Sequence, residues 1–512
     1  MSNSLGWIML AFAFYLLLMI VVGALSAKKN TSSEDYFLGG RKLGAFVAAL
    51  SAQASDMSGW LLMGLPGSVY ALGTGQIWIA VGLFIGTVCN WLFISKRLRR
   101  YTIRANNSLT LPTFFENRFR DKKKILLLIS SVTIVIFFLV YTASALAAGG
   151  KLFNSIFGID YKIALTIGAV VILAYTFLGG FWAVCSTDFI QGMLMLIALL
   201  AVPILALGLV GTGNVTAALT ATGVDTVNYL NVMSSGDTAT FSAIDIISQL
   251  AWGLGYMGMP HILVRFMAVK DEKELNKSKA IAIIWVALSL GAACVIGVIG
   301  RAYLTNVLEG GATENVFIEM IKQIFVSDYN MPIIGGIFLC GVLAAIMSTA
   351  DSQLLVSASS VAEDIYVGVC KKKADDKKVL MISRITVVVI AVLAYLIALD
   401  PNSSIMGLVS NAWAGLGSAF GPIVVLALFW KRTNLAGAIA GISSGALAVI
   451  VWDYIPLVGG QTLGTVTGLY SLVVGFFLSL ACIVVVSLMT KAPTEEMLQE
   501  FEDVKAGRVE GI

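Results

Sequence analysis

SAQASDMSGWLLMGLPG, residues 51–67, lies within an apolar stretch long enough to cross a bilayer, yet it makes a poor continuous helix. Ser55, Asp56, Ser58, Gly59 and Pro66 put weak helix formers and a carboxylate where hydrocarbon is expected. A second stretch has the same character. WGLGYMGMPH, at 252–261, carries glycines at 253, 255 and 258 ahead of Pro260, whose ring and missing N–H interrupt a helix. Both stretches read as discontinuous helices.

The chain around them belongs in lipid. Of its 512 residues 58% are apolar and 12% charged, and the mean hydropathy is +0.89, so a water-soluble fold would leave large apolar surfaces exposed. A net charge of +4 is too small for a nucleic-acid partner. The six cysteines include no CxxC pair and suggest neither a disulfide framework nor a zinc site. Windows of about 19 residues predict thirteen spans, near 6–27, 44–73, 76–95, 125–149, 161–180, 189–211, 241–268, 280–307, 332–360, 379–399, 405–430, 435–455 and 465–490.

The first span follows a start without Lys or Arg, is too long for a signal-peptide core and ends in Lys28-Lys29. It is expected to remain as a span with its amino end outside. In that orientation 30 of the 34 Lys and Arg residues fall on inner connections, Arg265 among them, leaving Lys151, Lys162, Arg301 and Lys322 outside. Residues 1–490 read as one transmembrane domain. Residues 491–512 read as a cytoplasmic tail, a short charged helix in water.

Spans 2 to 6, about 44–211, and spans 7 to 11, about 241–430, form two sets of five, each opening on a broken helix. Because five is odd, the second set enters the membrane from the opposite side. That is the arrangement of an inverted repeat with its binding site between the breaks. An unwound helix exposes main-chain carbonyls, half of a Na⁺ site. The other half is sought in GVLAAIMSTADSQLL (341–355), where Ser348 and Thr349 set two hydroxyls side by side and Ala345 lies one turn before Thr349. Asp56, the carboxylate expected deepest in hydrocarbon, is assigned to the cation, directly or through its field.

Asp188, expected near water at the inner end of span 6, reads as a gate or ion-path residue. Asp351 fits either that path or a hydrogen bond on its helix face. For the substrate, Trp60, Tyr141, Trp252 and Tyr256 are candidates to wall an apolar ring, and the breaks add Ser58, Gly59 and Gly255. Half-helix amino ends there can receive a carboxylate. His261, the only histidine, reads as structural beside Pro260.

ASDMSGWLLMGLPG (54–67), YTFLGGFWAVCSTDFIQG (175–192), GLGYMGMPHILVRFMA (253–268) and GVLAAIMSTADSQLLVSASS (341–360) resemble the solute:sodium symporter family, and its sodium/proline branch more closely. The resemblance covers nearly the whole chain. It implies an all-α LeuT-like core of five plus five helices, with one extra helix before it and two after. It implies that main-chain oxygens of Ala54 and Met57 join Ala345, Ser348 and Thr349 at Na⁺, with Asp56 critical for cation dependence. It further implies that Tyr141, Trp252, Tyr256 and Pro260 bear on proline binding or on helix movement.

The expected activity is Na⁺-coupled uptake of L-proline, with Na⁺ as coupling ion, no organic cofactor and no obligate protein partner. A sister symporter for pantothenate or another carboxylate is the alternative. A channel lacks a filter repeat, a sensor lacks a soluble output domain, and an enzyme lacks a metal or nucleophile constellation.

Overall fold

The computed structural model describes residues 2–27, 33–176, 180–236, 239–370 and 376–509. Gly179, half of the glycine pair in the 175–192 stretch, lies outside them. Among the described residues ten helices are long and apolar enough to cross a membrane: Ser4–Ser26, Thr74–Arg104, Ile125–Phe157, Phe181–Val210, Glu272–Tyr303, Pro332–Cys370, Lys377–Ile397, Ile405–Phe429, Leu435–Tyr454 and Ser471–Met489. Among the described residues strand is confined to two short hairpins, Ser234–Ser235 with Ala239–Thr240 and Pro456–Val458 with Gln461–Thr462.

Where the three remaining spans are expected, the structure has shorter helices. Tyr161–Thr176 is one helix. Around the first break, Ala45–Asp56 stops at Met57, whose ψ of 78° leaves the helical region, and the chain resumes through Trp60–Gly64 into Leu65–Leu72. Around the second, Ala243–Leu250 tightens into the 3₁₀ stretch Ala251–Gly258 and is cut at Met259, extended at ψ 106° as a residue before proline must be. Pro260 then opens Pro260–Ala268, where its missing N–H costs nothing.

The two broken helices run antiparallel and meet at both ends. The Leu43 N–H donates to Ala268 O at 3.1 Å and the Lys270 N–H to Leu43 O at 3.0 Å, so the first helix begins beside the end of the second. At the opposite face the Gly236 N–H donates to Leu72 O at 2.8 Å, so the first helix ends beside the approach to the second.

Pro332–Cys370 and Ile405–Phe429 form the centre, with 78% and 83% of their most apolar windows buried, against 33% for Ser4–Ser26 and Ser471–Met489 at the periphery. The helix carrying Ser348 and Thr349 is therefore walled by protein on nearly every side.

One end of the bundle is closed by Glu314. Its carboxylate takes Lys151 Nζ at 2.5 Å, Ser404 Oγ at 3.1 Å and the Met406 N–H at 3.3 Å, and a Cβ on Gly67 would stand 2.8 Å from Glu314 Cα. The turn at 310–315 thus lies directly on the first broken helix.

At the other end the tail departs from the sequence reading. Glu495–Ala506 is a helix capped by Thr494, but it is docked instead of solvated, with Met497, Phe501 and Val504 buried. These residues fall at i, i+4 and i+7, one apolar face among the charges. Arg120 reaches Glu496 at 3.0 Å and Glu500 at 2.7 Å, and the Arg97 and Arg118 guanidiniums stand over the Phe501 ring. The hydrogen bond from Arg508 holds the Asp503 carboxyl below the usual carboxylate range.

The second break is held by backbone contact. A Cβ on Gly86 would meet Gly253 O at 2.1 Å, and one on Gly253 would meet Gly82 O at 2.1 Å. Gly86→Leu should therefore destabilise the protein by about 1–3 kcal/mol, lowering its melting temperature in detergent. Gly291→Leu, with open space around it, should leave that temperature unchanged. Equal melting of the two variants would refute this close approach.

Candidate cation and substrate site

The break after Asp56 strips Ala54 O of its helical partner, and the central helix supplies replacements. Ser348 Oγ donates to Ala54 O at 2.7 Å and to Ala345 O at 3.2 Å, and Thr349 Oγ1 donates to Ala54 O at 3.3 Å. All four residues are fully buried. Two carbonyls and two hydroxyls, separated by about 290 residues of chain in the case of Ala54 and Ser348, thus converge in one oxygen cluster. Met57, at the turn itself, is likewise buried, and its thioether receives Ser289 Oγ.

Asp56 sits at the junction between this cluster and the second break. Its main-chain oxygen accepts from Trp60 Nε1 at 3.0 Å and Tyr141 OH at 3.3 Å, while its Oδ2 accepts from Tyr256 OH at 2.6 Å. Oδ1 has no hydrogen-bond partner, and among the described residues no Lys, Arg or His pairs with this carboxylate. It does not cap the following half-helix. Ser58 Oγ does that, accepting from the Trp60 N–H at 3.3 Å. Gly59 allows the turn to press on the Ile125–Phe157 helix, since a Cβ there would stand 2.7 Å from Ala148 Cβ.

The aromatic candidates assemble around the second break. Trp252 stacks on Tyr470 at 5.4 Å and on Trp413 at 6.4 Å, and Tyr256 meets Trp413 edge-on at 5.2 Å. Trp413 Nε1 donates to Trp252 O at 2.8 Å, and its indole covers Gly255 so closely that a Cβ there would stand 2.0 Å from Nε1. Asn90 Nδ2 holds Tyr256 O at 2.9 Å. Pro260 lines a small cavity beyond the break. His261 is buried edge-on to Phe138 and Tyr141.

Asp188 is not near water. The sequence placed its helix from 189, but the helix begins at Phe181, which carries Asp188 two turns inward to zero exposure. There it accepts from Ser51 Oγ at 2.6 Å and pairs with Arg265 at 3.3 Å. Arg265, read as an inner-loop charge, is equally buried and spreads its other donors over Ser51 Oγ, Ser352 Oγ and His261 O. Four packed elements are fastened through this pair. Asp351 receives Thr176 Oγ1.

Sequence reasoning missed Arg265, Ser51, Ser352, Trp413 and Tyr470. Trp413 and Tyr470 carry no motif. Ser51 and Arg265 stood inside quoted stretches, but only packing makes them partners.

The sodium:solute symporter family model matches residues 36–445. The osmoregulated proline transporter OpuE of Bacillus subtilis is 45% identical over 496 residues, covering 96% of this chain and 97% of that protein. A sodium/proline symporter of Staphylococcus aureus is 44% identical over 516 residues, covering 98% and 97%. Among solved structures, the substrate-bound outward-open state of a Na⁺-coupled sialic acid symporter aligns with a TM-score of 0.76 at 18% identity, covering 96% of this chain and 99% of that one. MhsT in complex with L-phenylalanine aligns at 0.53 and 17%, covering 87% and 98%. These neighbours have the LeuT-like fold, and this chain is an all-helical polytopic membrane protein. With more than three-quarters of its length matched, the chain belongs to the sodium:solute symporter family.

Proposed function

We propose that the protein imports L-proline together with Na⁺ by alternating access. It is a secondary transporter, and no step makes or breaks a covalent bond. The observation that carries the reading is the convergence of Ser348 Oγ and Thr349 Oγ1 on Ala54 O at the first break, with Ala345 O drawn in by the same Ser348 hydroxyl. Neutral oxygens at this density suit a singly charged hard cation better than Ca²⁺, which takes more carboxylates. In this reading Met57 O completes the set, and Asp56, buried without a basic partner, supplies the negative field.

Counting the Tyr161–Thr176 helix and the two interrupted segments with the ten long helices gives thirteen spans. These form two inverted sets of five, about 44–211 and 241–430, with one helix before and two after, all in a single transmembrane domain over 1–490. The antiparallel contacts of the two broken helices support the inversion. The amino end is outside and the tail at 491–512 cytoplasmic.

Tyr256 links the two ligands. Its hydroxyl holds Asp56 while its ring packs against Trp413. Ordering Asp56 around Na⁺ therefore orders the second break, where Trp252, Gly255, Tyr256 and Pro260, with Ser58, Gly59, Trp60 and Tyr141 opposite, bound the proline site. Such coupling is reciprocal: Na⁺ raises proline affinity by the factor by which proline raises Na⁺ affinity. The membrane potential adds about 2.3 kcal/mol per charge per 100 mV. On the inner side, the Asp188–Arg265 pair has to separate for release, so Asp188 acts as a gate by being paired.

Labelled L-proline should accumulate in proteoliposomes only with an inward Na⁺ gradient, and not in K⁺ or with Na⁺ equal on both sides. Ser348→Ala with Thr349→Ala should abolish that accumulation at low Na⁺. Accumulation of another carboxylate but not proline would keep the mechanism and discard the substrate.

Tyr256→Phe removes one hydrogen bond to a buried carboxylate and should raise both the half-saturating Na⁺ and the proline KM by about tenfold. Asp56→Asn should weaken the Na⁺ dependence further. Full uptake by Asp56→Asn with wild-type Na⁺ dependence would remove Asp56 from the cation site.

A further inference from the structure

The tail helix Glu495–Ala506 is docked on the bundle, and the mechanism above makes no use of it. Its seat is a single connection, which runs from the end of the Thr74–Arg104 span, at Ser95–Arg104, to the short helix Leu111–Phe119. Phe501 sits between these two arms. Its ring meets Tyr101 of the first edge-on at 6.5 Å and lies 5.8 Å from the Arg118 guanidinium of the second. Arg120, just past the second arm, takes Glu496 and Glu500, and Arg104, at the end of the first, stands 3.6 Å from Asp503. The tail therefore clips the two arms together.

The clipped connection in turn holds one end of each broken helix. Arg99 Nε donates to Val269 O at 2.8 Å and its Nη2 to Lys270 O at 2.6 Å, just past the Pro260–Ala268 helix. Lys96 and Arg100 pair with Glu272 close by. Arg100 also closes over the end of the tail, where a Cβ on Gly507 would stand 3.2 Å from its Nη1. At the other break Arg41, ahead of Ala45–Asp56, donates to Asn107 Oδ1 at 2.8 Å and Ser108 O at 2.9 Å, both in the bend between the arms, and to Met267 O at 2.6 Å. One connection touches both breaks, and the tail fixes its shape.

Two kinds of contact attach the tail. Met497, Phe501 and Val504 supply a buried apolar face, and Glu500 is the one buried acid among them. The remaining charges ring that face in water, with Glu496 77% exposed, Arg104 45% and Arg120 34%. Lys505 stays within the helix, 3.8 Å from Glu502, and Arg508 closes its end, 3.1 Å from Asp503. Exposed pairs are weak singly and are screened by salt, the Debye length falling from about 10 Å at 0.1 M to about 3 Å at 1 M. Three apolar side chains are a small hold for a helix of 12 residues, so the rim of charge decides whether it stays docked.

We propose that the tail helix is a clamp on the inner side, docked at low ionic strength and released as cytoplasmic ionic strength rises, so that inner opening follows the salt content of the cell. Docked, it stiffens the connection on which both breaks lean, and the Asp188–Arg265 pair parts less often. Released, it leaves the two arms free to move apart, and the opened state gains population because the clamp favours only the closed one. This rests on the alternating-access reading for which end of the bundle opens inward.

Cys185 reports the opening. It is buried beside that pair, its Sγ 3.3 Å from Ser51 Oγ, and a maleimide reaches it only when the inner side parts. Cys370, which is exposed, corrects for reagent reactivity. The purified full chain in detergent is taken at fixed Na⁺ from about 0.1 M to about 0.5 M choline chloride. Labelling of each cysteine is read by peptide mass spectrometry, and docking of the tail by hydrogen exchange over 495–506. Tail exchange and Cys185 labelling should rise together, by about threefold, the worth of one or two exposed ion pairs. Sucrose of equal osmolality should change neither. Phe501→Ala should free the tail and give the high-salt labelling at low salt, whereas Glu496→Gln should blunt the salt response with an unchanged melting temperature. Wild-type labelling in a Phe501→Ala protein whose tail exchanges freely overturns the clamp, and a tail still protected in that variant overturns the seat. Tail exchange unmoved by salt, or moved equally by sucrose, overturns the ionic release. Neither readout uses proline, so a failure of the symport reading shows separately, as proline uptake indifferent to Na⁺.

Discussion

A helix interrupted in hydrocarbon must find new partners for every main-chain group it releases, because no water is there to take them. The fold depends on how that demand is met after Asp56. Ala54 O is taken by Ser348 and Thr349, Asp56 O by Tyr141 and Trp60, and the Trp60 N–H by Ser58. The central helix and the Ile125–Phe157 helix are thereby fixed against the break. The same oxygens that repair the helix are those a small cation prefers, so the structural repair and the proposed ion site share their atoms.

The second break meets the demand differently. It tightens to 3₁₀ turns and leans on its neighbours through backbone, with Gly82, Gly86 and Gly253 in mutual contact and Trp413 donating to Trp252 O. Aromatic rings then cover what the glycines leave open. One break therefore presents oxygens and the other presents ring faces, joined by the Tyr256 hydroxyl on Asp56.

Two buried carboxylates on either side of this junction have opposite surroundings. Asp188 is matched by Arg265 and bonded by Ser51, so it fastens helices together. Asp56 has only the Tyr256 hydroxyl and an unbonded Oδ1, the surroundings on which its proposed cation role rests. Breaking a buried pair by removing one partner costs about 3–5 kcal/mol, strength enough for the latch proposed at Asp188–Arg265. The buried, ion-bridged tail helix at Arg120 adds a further tie across the basic end of the bundle.

The sequence by itself determined the membrane class, both interruptions and their pairing in register, because hydropathy and the helix-breaking power of Gly and Pro act locally. It also supplied Ser348, Thr349 and Asp56, since hydroxyls and a carboxylate stand out in an apolar run. It misplaced Asp188, Arg265 and the tail. Each lies at the edge of an apolar run, where hydropathy reads water, and whether such an edge is wet depends on which helices stand beside it. Trp413 and Tyr470 were invisible for the same reason, being ordinary aromatics until folding sets them on Trp252. The elements and their chemistry were local properties of the chain; the choice of partner for each buried charge and ring was made only by packing between segments far apart in sequence.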